Sequence, residues 1–458
     1  MLFSSAVFLW IFLPVVIAGN LLFEKRFSNL FLLLASLFFY AWGEPVLIVL
    51  IIFVIIWSYF IGLCIEKCNN KKIALFIGVS GDLLMLGYYK YAGFLVRSIN
   101  LATGTSFTVP EIALPIGISF FTFQAISYIA DVYRGKVKAT KDPLPVAVYI
   151  SFFPQLIAGP IVKYSDVESR LHERKMTAEG FATGFRRFIY GLGKKVLIAN
   201  VLAKCADAVF DHGAANVGML PAWMGALAYT FQIYYDFSGY SDMALGLGSM
   251  FGFKLPENFN YPYLSKSITE FWQKWHITLG AWFREYVYIP LGGNRKGKGR
   301  TYVNLWIVFF LSGLWHGADF TFLLWGMYHG ALSFVERMGL KKLLDKSKVL
   351  SRLLCFIAVS IGWVMFRAKN AAEGFSMIAA MFTPAAGMKL WELGDMKTAA
   401  VALCAVFGCG ILQTLLPEKL TKWYRESLLE VIVCGGILFF CLAALAMEEY
   451  NPFIYYQF

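Results

Sequence analysis

Twelve apolar runs follow one another along this 458-residue chain, and no long polar segment separates them. A helix of about 20 apolar residues is what the hydrocarbon core of a bilayer requires. Charged residues make up 15% of the sequence, against about 25% in a soluble domain. The runs cover residues 2–20, 30–42, 46–65, 73–95, 113–131, 188–210, 220–250, 301–317, 319–336, 352–366, 398–416 and 428–447. We therefore expect an all-α polytopic membrane protein with about 11–12 transmembrane helices plus re-entrant and interfacial helices, in one integral membrane domain over 1–458.

The N-terminus and the cysteines narrow the class further. The first ten residues carry no basic segment and no clear cleavage site, so the first run is predicted to be a retained span. Six of the eight cysteines lie in or beside apolar runs, where cysteine behaves as a small hydrophobe. Cys64 and Cys68 lack two further ligands for a zinc site. The sequence predicts no structural disulfide and no metal.

The basic residues are distributed unevenly between alternate loops. One set of loops carries 31 Lys and Arg and the other set, with the termini, carries 5. Basic loops stay in the cytoplasm, so the first set is predicted to be cytoplasmic and both termini to point outward. The cytoplasmic set is 21–29, 66–72, 132–145, 161–187, 254–300, 337–351 and 417–426. This distribution explains the net charge of +12 through membrane topology and gives no reason to expect nucleic-acid binding.

That alternation requires the segment 146–160 not to cross the membrane. Pro154 and the pair Gly159-Pro160 interrupt it, and Gln155 adds a polar side chain. Non-helical backbone at membrane depth is tolerated where protein or a water-filled cavity surrounds it. Two interpretations are equally weighted: a re-entrant element that lines a cavity, and a short kinked helix in the core.

Two carboxylates interrupt the run 220–250, in the motif Asp236-Phe-Ser-Gly-Tyr-Ser-Asp-Met243. Gly239 and the neighbouring serines suggest that the helix breaks there and exposes backbone groups to a polar substrate. The alternative is that both carboxylates cap a helix break and pair with nearby Lys or Arg, because buried charges are usually paired. The sequence leaves both open.

A basic, aromatic helix is predicted to begin at the capping box Ser267-Ile-Thr-Glu270. Phe271, Trp275, Trp282 and Tyr286 recur on it at helical spacing, which suits the cytoplasmic membrane interface. His276 lies beside this stripe. Taken alone, it is more simply interpreted as a structural histidine at the interface.

The following loop, Gly292-Gly-Asn-Arg-Lys-Gly-Lys-Gly-Arg300, approaches a nucleotide-binding P-loop without completing it. Gly299 stands where the magnesium-binding hydroxyl belongs, so we reject an NTPase site. The four positive charges suit anionic lipid headgroups or the phosphates of a donor such as coenzyme A. The simpler interpretation is a positive-inside anchor for the next span.

His316 stands at the junction of two apolar runs, in Leu314-Trp-His-Gly-Ala318. An ionisable side chain at membrane depth is by default a functional hypothesis. Gly313 and Gly317 flank it and would permit a substrate to approach closely. His329, in the next span, is interpreted as a structural histidine that hydrogen-bonds a facing helix.

Several motifs, in order, resemble the membrane-bound O-acyltransferase family, specifically its bacterial alginate O-acetyltransferase branch with peptidoglycan O-acetyltransferases and teichoic acid D-alanine transfer proteins as relatives. Gln273-Lys274 stands where two arginines are usual, and Tyr456 where Phe is expected. The resemblance covers most of the chain, including 153–161 and the terminus 452–458. The motifs are 236–243, Pro256-Glu-Asn-Phe-Asn-Tyr-Pro-Tyr263, Phe271-Trp-Gln-Lys-Trp-His-Ile-Thr278, Tyr288-Ile-Pro-Leu-Gly-Gly-Asn-Arg295 and 314–318.

The resemblance implies a ring of tilted helices with a thinned centre where two funnels meet. It also implies that His316 is catalytic and that His276 is the second active-site histidine, within a catalytic block of about 235–330. Supporting or substrate-lining positions are expected at Trp315, Asp236, Ser238, Tyr240, Arg284, Asn294 and Gln155. The implied location is the bacterial cytoplasmic membrane.

The expected reaction is transfer of an acyl group, acetyl by preference, from a cytoplasmic thioester to a hydroxyl reached from outside. The donor would be acetyl-CoA or an acyl carrier, with no bound cofactor. The acceptor would be a cell-envelope polysaccharide or an extracytoplasmic partner transferase. His316 would take the hydroxyl proton, and His276 or a backbone N–H would stabilise the oxyanion. The alternatives are a transporter or flippase with a His/Asp proton relay, and a purely structural subunit.

Overall fold

Every regular element in the described part of the chain is helical. The structure is a computed structural model that describes residues 1–23, 25–340, 344–385, 387–389 and 392–447, with the side chains of 25, 26 and 413 excepted. The aromatic terminus 452–458 therefore lies outside the described residues. The all-α prediction is confirmed over the ranges given.

The helices in chain order are α1 Leu13–Leu22, α2 Lys25–Ala41, α3 Ile48–Lys67, α4 Lys71–Leu86, α5 Ala92–Thr103, α6 Ile118–Tyr133, α7 Pro143–Ser151, α8 Phe153–Leu156, α9 Tyr164–His172, α10 Ala178–Gly193, α11 Asn200–His212, α12 Ala214–Val217, α13 Met219–Met250, α14 Ile268–Lys274, α15 Ile277–Phe283, α16 Gly297–His316, α17 Phe320–Val335, α18 Lys348–Arg367, α19 Ala371–Ala380, α20 Met396–Val406, α21 Leu412–Leu415, α22 Glu418–Glu426 and α23 Leu428–Met447. Wider π-helical turns occupy Phe8–Phe12, Gly87–Tyr91, Lys194–Ala199, Arg284–Tyr288, Glu336–Leu340 and Phe407–Ile411, and one 3₁₀ turn spans Pro262–Leu264.

Contacts between residues divide the chain into two units. The first comprises 1–188 and 241–256, and the second comprises 189–240 and 257–458. In the first unit, α6 is buried along almost its whole length and packs against α3 and α4. In the second, α16 and α17 form an antiparallel pair. Whether the chain acts as one integral domain stays a prediction.

Within the described part of the chain, four helical segments are long and apolar enough to cross a membrane: Ile48–Lys67, Lys71–Thr103, Lys348–Arg367 and Leu428–Met447. Phe8–Leu22, Phe27–Ala41 and Met396–Ile411 are shorter apolar helices. Large apolar side chains cover the outer face of α3, where Val49, Phe53 and Phe60 are more than half exposed. A soluble monomer rarely shows such a continuous apolar surface, whereas lipid covers it at no cost.

The predicted break of the run 220–250 at Gly239 is wrong, because α13 continues as 32 helical residues from Met219 to Met250. Gly239 serves close packing. A Cβ atom built there would lie 2.8 Å from the carbonyl oxygen of Gly191 and 3.1 Å from the Cβ of Lys194. The glycine lets two backbones approach, which is the usual role of small residues between membrane helices.

The segment 146–160 is two short helices with a kink at Phe152. Asp142 caps α7, accepting a hydrogen bond from the backbone N–H of Leu144 at 3.0 Å, and prolines stand in the first turn of both α7 and α8. All the residues of α7 from Pro145 to Ser151, and all of α8, are buried. The cavity lined by Tyr149 and Gln155 holds about 10 Å³, too little for more than one water. This packing favours the kinked core helix over a wall of a water-filled cavity.

Candidate active site

Two carboxylates anchor the start of α14. Ser267 Oγ accepts a hydrogen bond from the Glu270 N–H at 3.0 Å, and Glu270 Oε2 accepts one from the Lys266 N–H at 2.9 Å. The Glu336 carboxylate accepts from the backbone N–H groups of Ile268 and Thr269. Free N–H groups at a helix start favour negative charge. The predicted helix start at Ser267 is therefore confirmed, with a second carboxylate that sequence reasoning missed.

The predicted continuous helix through the aromatic stripe is wrong. α14 ends at Lys274, and His276 has φ +44° and ψ 55°, in the left-handed region. The break is held from outside the helix: Asn260 N–H donates to the Lys274 carbonyl at 3.0 Å, and Ile277 N–H donates to the Asn258 carbonyl at 2.9 Å. These bonds replace helical ones. They turn His276 away from the position that a continuous helix would give it.

The side chain of Asn258 holds the His276 ring. Asn258 Oδ1 lies 3.0 Å from His276 Nδ1, and it accepts hydrogen bonds from Thr278 N at 3.3 Å and Thr278 Oγ1 at 2.8 Å. Burial lowers the pKa of His276, which lies outside the predicted spans, to about 3, so the ring is neutral near pH 7. Its Nε2 is buried and has no hydrogen-bond partner among the described residues.

Aromatic rings enclose both motif histidines. The Phe237 ring meets His276 edge-on, with centroids 4.7 Å apart, and the Trp315 ring lies 5.9 Å from it. His316 is the last residue of α16 and is 2% exposed. Its ring centroid is 4.9 Å from Trp315, and Trp325 and Phe366 lie within 5.4 Å. The two histidines therefore have different aromatic neighbours, except that both contact Trp315.

The glycines beside His316 do not open space for a substrate, so that prediction is wrong. A Cβ atom on Gly317 would lie 2.1 Å from the Phe322 ring, and one on Gly313 would lie 2.4 Å from the Phe322 carbonyl oxygen. Atoms of Phe322, on α17, occupy the space beside both glycines. They allow α16 and α17 to pack closely, which places His316 against Trp325.

His329 packs among rings and makes no hydrogen bond to a facing helix, contrary to the sequence interpretation. Neither ring nitrogen has a hydrogen-bond partner among the described residues. The ring is fully buried, edge-on to Trp272 at 5.0 Å, with Trp325 at 5.2 Å. Its neighbour across the helix interface is Gly362, where a Cβ would lie 2.8 Å from His329 Nε2. These contacts describe a packed core position.

The two carboxylates of α13 are paired with cations, as the alternative interpretation expected, but neither caps a helix break, because α13 is continuous through both. Asp236 lies 2.6 Å from Lys195 Nζ, with both side chains almost fully buried. Within the first unit, Asp242 lies 2.9 Å from Arg187. Ser238 and Tyr240 are also buried on α13. The structure thus supports paired charges at these positions.

The structure gives the remaining predicted positions other surroundings. Arg284 and Asn294 are exposed, and they line one surface cavity of about 370 Å³ with Arg295 and Lys296. Gln155 belongs to the first unit, where its Nε2 donates to the Tyr149 carbonyl at 2.6 Å. In the described ranges no three His, Cys, Asp or Glu residues cluster as metal ligands would.

Sequence reasoning missed three of the groups that shape the centre: Asn258, Trp325 and Phe366. Asn258 stands inside the motif 256–263, so its position was visible but its role was not. Trp325 and Phe366 carried no signal, because each is one aromatic residue in an apolar run. Only the fold shows that they face His316.

Comparison with known proteins gives one family. The sequence model of the membrane-bound O-acyltransferase family matches residues 138–378. The probable alginate O-acetylase of Pseudomonas putida is 42% identical over 492 residues, covering 100% of each chain. The peptidoglycan O-acetyltransferase of Helicobacter pylori is 35% identical, covering 96% of this chain and 89% of its own. The teichoic acid D-alanyltransferase of Bacillus subtilis is 28% identical over 56% of this chain and 69% of its own.

Proposed function

The chain belongs to the membrane-bound O-acyltransferase family, and we propose that it moves an acetyl group from a cytoplasmic thioester to a hydroxyl reached from the outer side of the membrane. That it is a multi-pass membrane O-acyltransferase follows from its family and relatives. The proposal adds the donor, the direction and the acceptor: a hydroxyl of an envelope polysaccharide, or of an extracytoplasmic transferase that passes the group on. The location proposed is the bacterial cytoplasmic membrane.

One observation carries the proposal. His276 and His316, from separate motifs 40 positions apart, both lie against Trp315 in a buried aromatic enclosure. A low-dielectric enclosure strengthens every electrostatic interaction with a developing charge. Imidazole is the side chain that most often transfers protons at a reacting group.

The step balances without a cofactor. The hydroxyl oxygen attacks the thioester carbonyl carbon while a nitrogen of His316 takes the hydroxyl proton. The tetrahedral intermediate then collapses: the C–S bond breaks, the C–O ester bond remains, and the imidazolium returns its proton to the thiolate as it leaves. No Ser-His-Asp set was found among the motifs, so we propose direct transfer without an acyl-enzyme.

The loop before α16 suits the phosphates of the donor. Arg284, Asn294, Arg295 and Lys296 surround one exposed cavity of about 370 Å³. Arginine and lysine are the residues that bind phosphate groups, the former in a bidentate manner. We propose that acetyl-CoA or a phosphopantetheine carrier docks here, on the cytoplasmic face that the distribution of basic residues predicts.

The transporter and structural-subunit alternatives lose their support. Membership of an acyltransferase family favours group transfer, and Asp236, which a proton relay would need, is held by Lys195 at 2.6 Å.

Purified protein in nanodiscs, supplied with acetyl-CoA or an acetylated carrier and an oligosaccharide acceptor, tests the proposal. We expect transfer by the wild type, and a loss of about 10²–10⁴-fold in His316→Ala. His329→Phe is the matched control, because that ring already packs among aromatic side chains. Near-wild-type transfer by His316→Ala at equal protein level would contradict the proposal, as would an equal loss in His329→Phe.

The direction of transfer is tested by labelling. In a background with the exposed Cys64, Cys68 and Cys404 replaced by Ser, Gly299→Cys should react only with a membrane-permeant thiol reagent. Ala215→Cys, exposed and in the segment 211–219 that carries no Lys or Arg, should react with an impermeant reagent in spheroplasts. Labelling of Gly299→Cys by the impermeant reagent in sealed spheroplasts would reverse the orientation and exclude a cytoplasmic donor at this loop.

A further inference from the structure

We propose that Asn258 is a positioning residue that holds His276 in the Nδ1–H tautomer, so that Nε2 accepts a hydrogen bond from a second hydroxyl of the acceptor, beside the one whose proton His316 takes. The inference rests on the proposed acyl transfer and deepens it. It changes the role expected of His276: a neutral ring in this tautomer cannot donate to an oxyanion from Nε2. Stabilisation of the oxyanion then falls to other donors, such as backbone N–H groups.

The orientation of the Asn258 amide follows from its neighbours. The backbone N–H of Thr278 can only donate, and it points at the Asn258 oxygen at 3.3 Å. The atom facing it is therefore Oδ1 and not Nδ2, which settles the usual ambiguity of an asparagine side chain. His276 Nδ1 lies 3.0 Å from this same oxygen. An acceptor at that distance requires a donor opposite, so Nδ1 carries the proton.

The tautomer leaves a lone pair on Nε2 in a buried place. His276 is 1% exposed, and Nε2 has no hydrogen-bond partner among the described residues. Buried acceptors in folded proteins are nearly always satisfied, and a second hydroxyl of the acceptor supplies the missing donor. The acceptor is thereby oriented so that its neighbouring hydroxyl can attack, while the Phe237 and Trp315 rings enclose His276.

Asn258 is suited to this test because its backbone anchors the loop independently of its side chain. Its carbonyl accepts from the Ile277 N–H at 2.9 Å, and the adjacent bond joins Asn260 N–H to the Lys274 carbonyl at 3.0 Å. Side-chain variants keep both main-chain bonds. Asn258→Asp retains an acceptor for Nδ1–H, whereas Asn258→Leu has similar size and no acceptor.

The first experiment measures transfer by Asn258→Leu, Asn258→Asp and Thr278→Val. We expect kcat to fall about 10²-fold in Asn258→Leu, the lower part of the range for a misplaced acid–base group, with Asn258→Asp restoring most of it. Thr278→Val removes another bond to the same Oδ1 and leaves the bond to His276, so its loss should be less than a tenth of that. Equal losses in Asn258→Leu and Thr278→Val, or no rescue by Asp, would overturn the positioning role.

The second experiment reads the tautomer without activity. Nitrogen-15 spectra of histidine-labelled protein in lipid distinguish a protonated from an unprotonated ring nitrogen. The chain has five histidines, and the signal that is absent from the spectrum of His276→Asn belongs to His276. Asparagine is chosen because it tolerates the left-handed backbone at this position. We expect Nδ1 protonated and Nε2 unprotonated in the wild type, and loss of that preference in Asn258→Leu. An Nε2–H tautomer in the wild type would overturn the positioning role of Asn258 even if acyl transfer is confirmed. If acyl transfer fails, the proposed function fails, and the spectrum still shows whether Asn258 sets the tautomer.

Discussion

Two buried polar regions of the second unit meet the cost of burial in different ways. At the Asp236–Lys195 pair, opposite charges lie 2.6 Å apart and each neutralises the other. At the histidine centre, the rings of His276 and His316 are enclosed by Phe237, Trp315 and Trp325, and His276 Nδ1 lies 3.0 Å from Asn258 Oδ1. In the first region the two charges compensate each other. The second keeps a ring nitrogen of His276 available inside an apolar enclosure.

The difference indicates that the ion pair has a structural role and that the histidines have a chemical one. A buried ion pair is held in place because removal of either partner leaves an uncompensated charge. A neutral imidazole carries no charge that needs a partner, and it can take a proton from a substrate and return it within one reaction. We infer that α13 is fastened through Asp236, and that reactivity resides at His276 and His316.

The largest effect expected concerns the unity of the histidine centre. Because both rings lie against Trp315, His276→Ala and His316→Ala should each lower acyl transfer about 10²–10⁴-fold, and the double variant should be little worse than the poorer single one. Initial rates in nanodiscs at equal protein level give the comparison. His276→Asn controls for backbone strain, since His276 has φ +44°.

If the two losses multiply, the histidines act as separate sites and the shared Trp315 contact has no catalytic meaning. Full activity of His276→Asn would also end the shared-site interpretation.

A second prediction tests whether the ion pair is only structural. Lys195→Met leaves Asp236 buried without its cation and should lower the free energy of unfolding by about 3–5 kcal/mol. Lys195→Met/Asp236→Leu should recover most of that loss, because an apolar pair replaces the charged one. Unfolding in detergent, followed by tryptophan fluorescence, measures both variants.

A double variant that is stable but inactive would contradict a purely structural role for the ion pair. Such a protein would show that the pair belongs to the reacting centre, and that the two regions are one.

The sequence predicted what depends on neighbours along the chain. The capping box at Ser267 needs residues within three positions of each other, and it is present as expected. The apolar runs and the two histidine motifs also follow from local patterns. The break at His276 does not, because it is made by hydrogen bonds from Asn258 and Asn260, at least 14 positions away.

The same limit explains the errors over glycine. A glycine in an apolar run is compatible with a break, with access for a substrate or with close packing. Only the residue opposite decides between them: Gly191 for Gly239, and Phe322 for Gly317. The ring of helices, the two funnels and the roles of the histidines stay predictions.

The smallest effect expected concerns the wall between α16 and α17, which places His316 in the enclosure. Gly317→Ala would bring a Cβ atom 2.1 Å from the Phe322 ring, so the ring must move, at a cost of about 1–3 kcal/mol in unfolding free energy. A Cβ atom on Gly299, in the first turn of α16, would have no atom within 4 Å, so Gly299→Ala is the matched control. Adding Phe322→Leu to Gly317→Ala should recover stability, because the smaller side chain vacates the space that the new methyl group needs. If Gly317→Ala were as stable as the wild type but transferred acyl groups slowly, the glycine would serve the substrate and not the packing. The aromatic enclosure would then have an opening at His316, and the contrast between a closed ion pair and an enclosed histidine centre would have to be drawn at His276 alone.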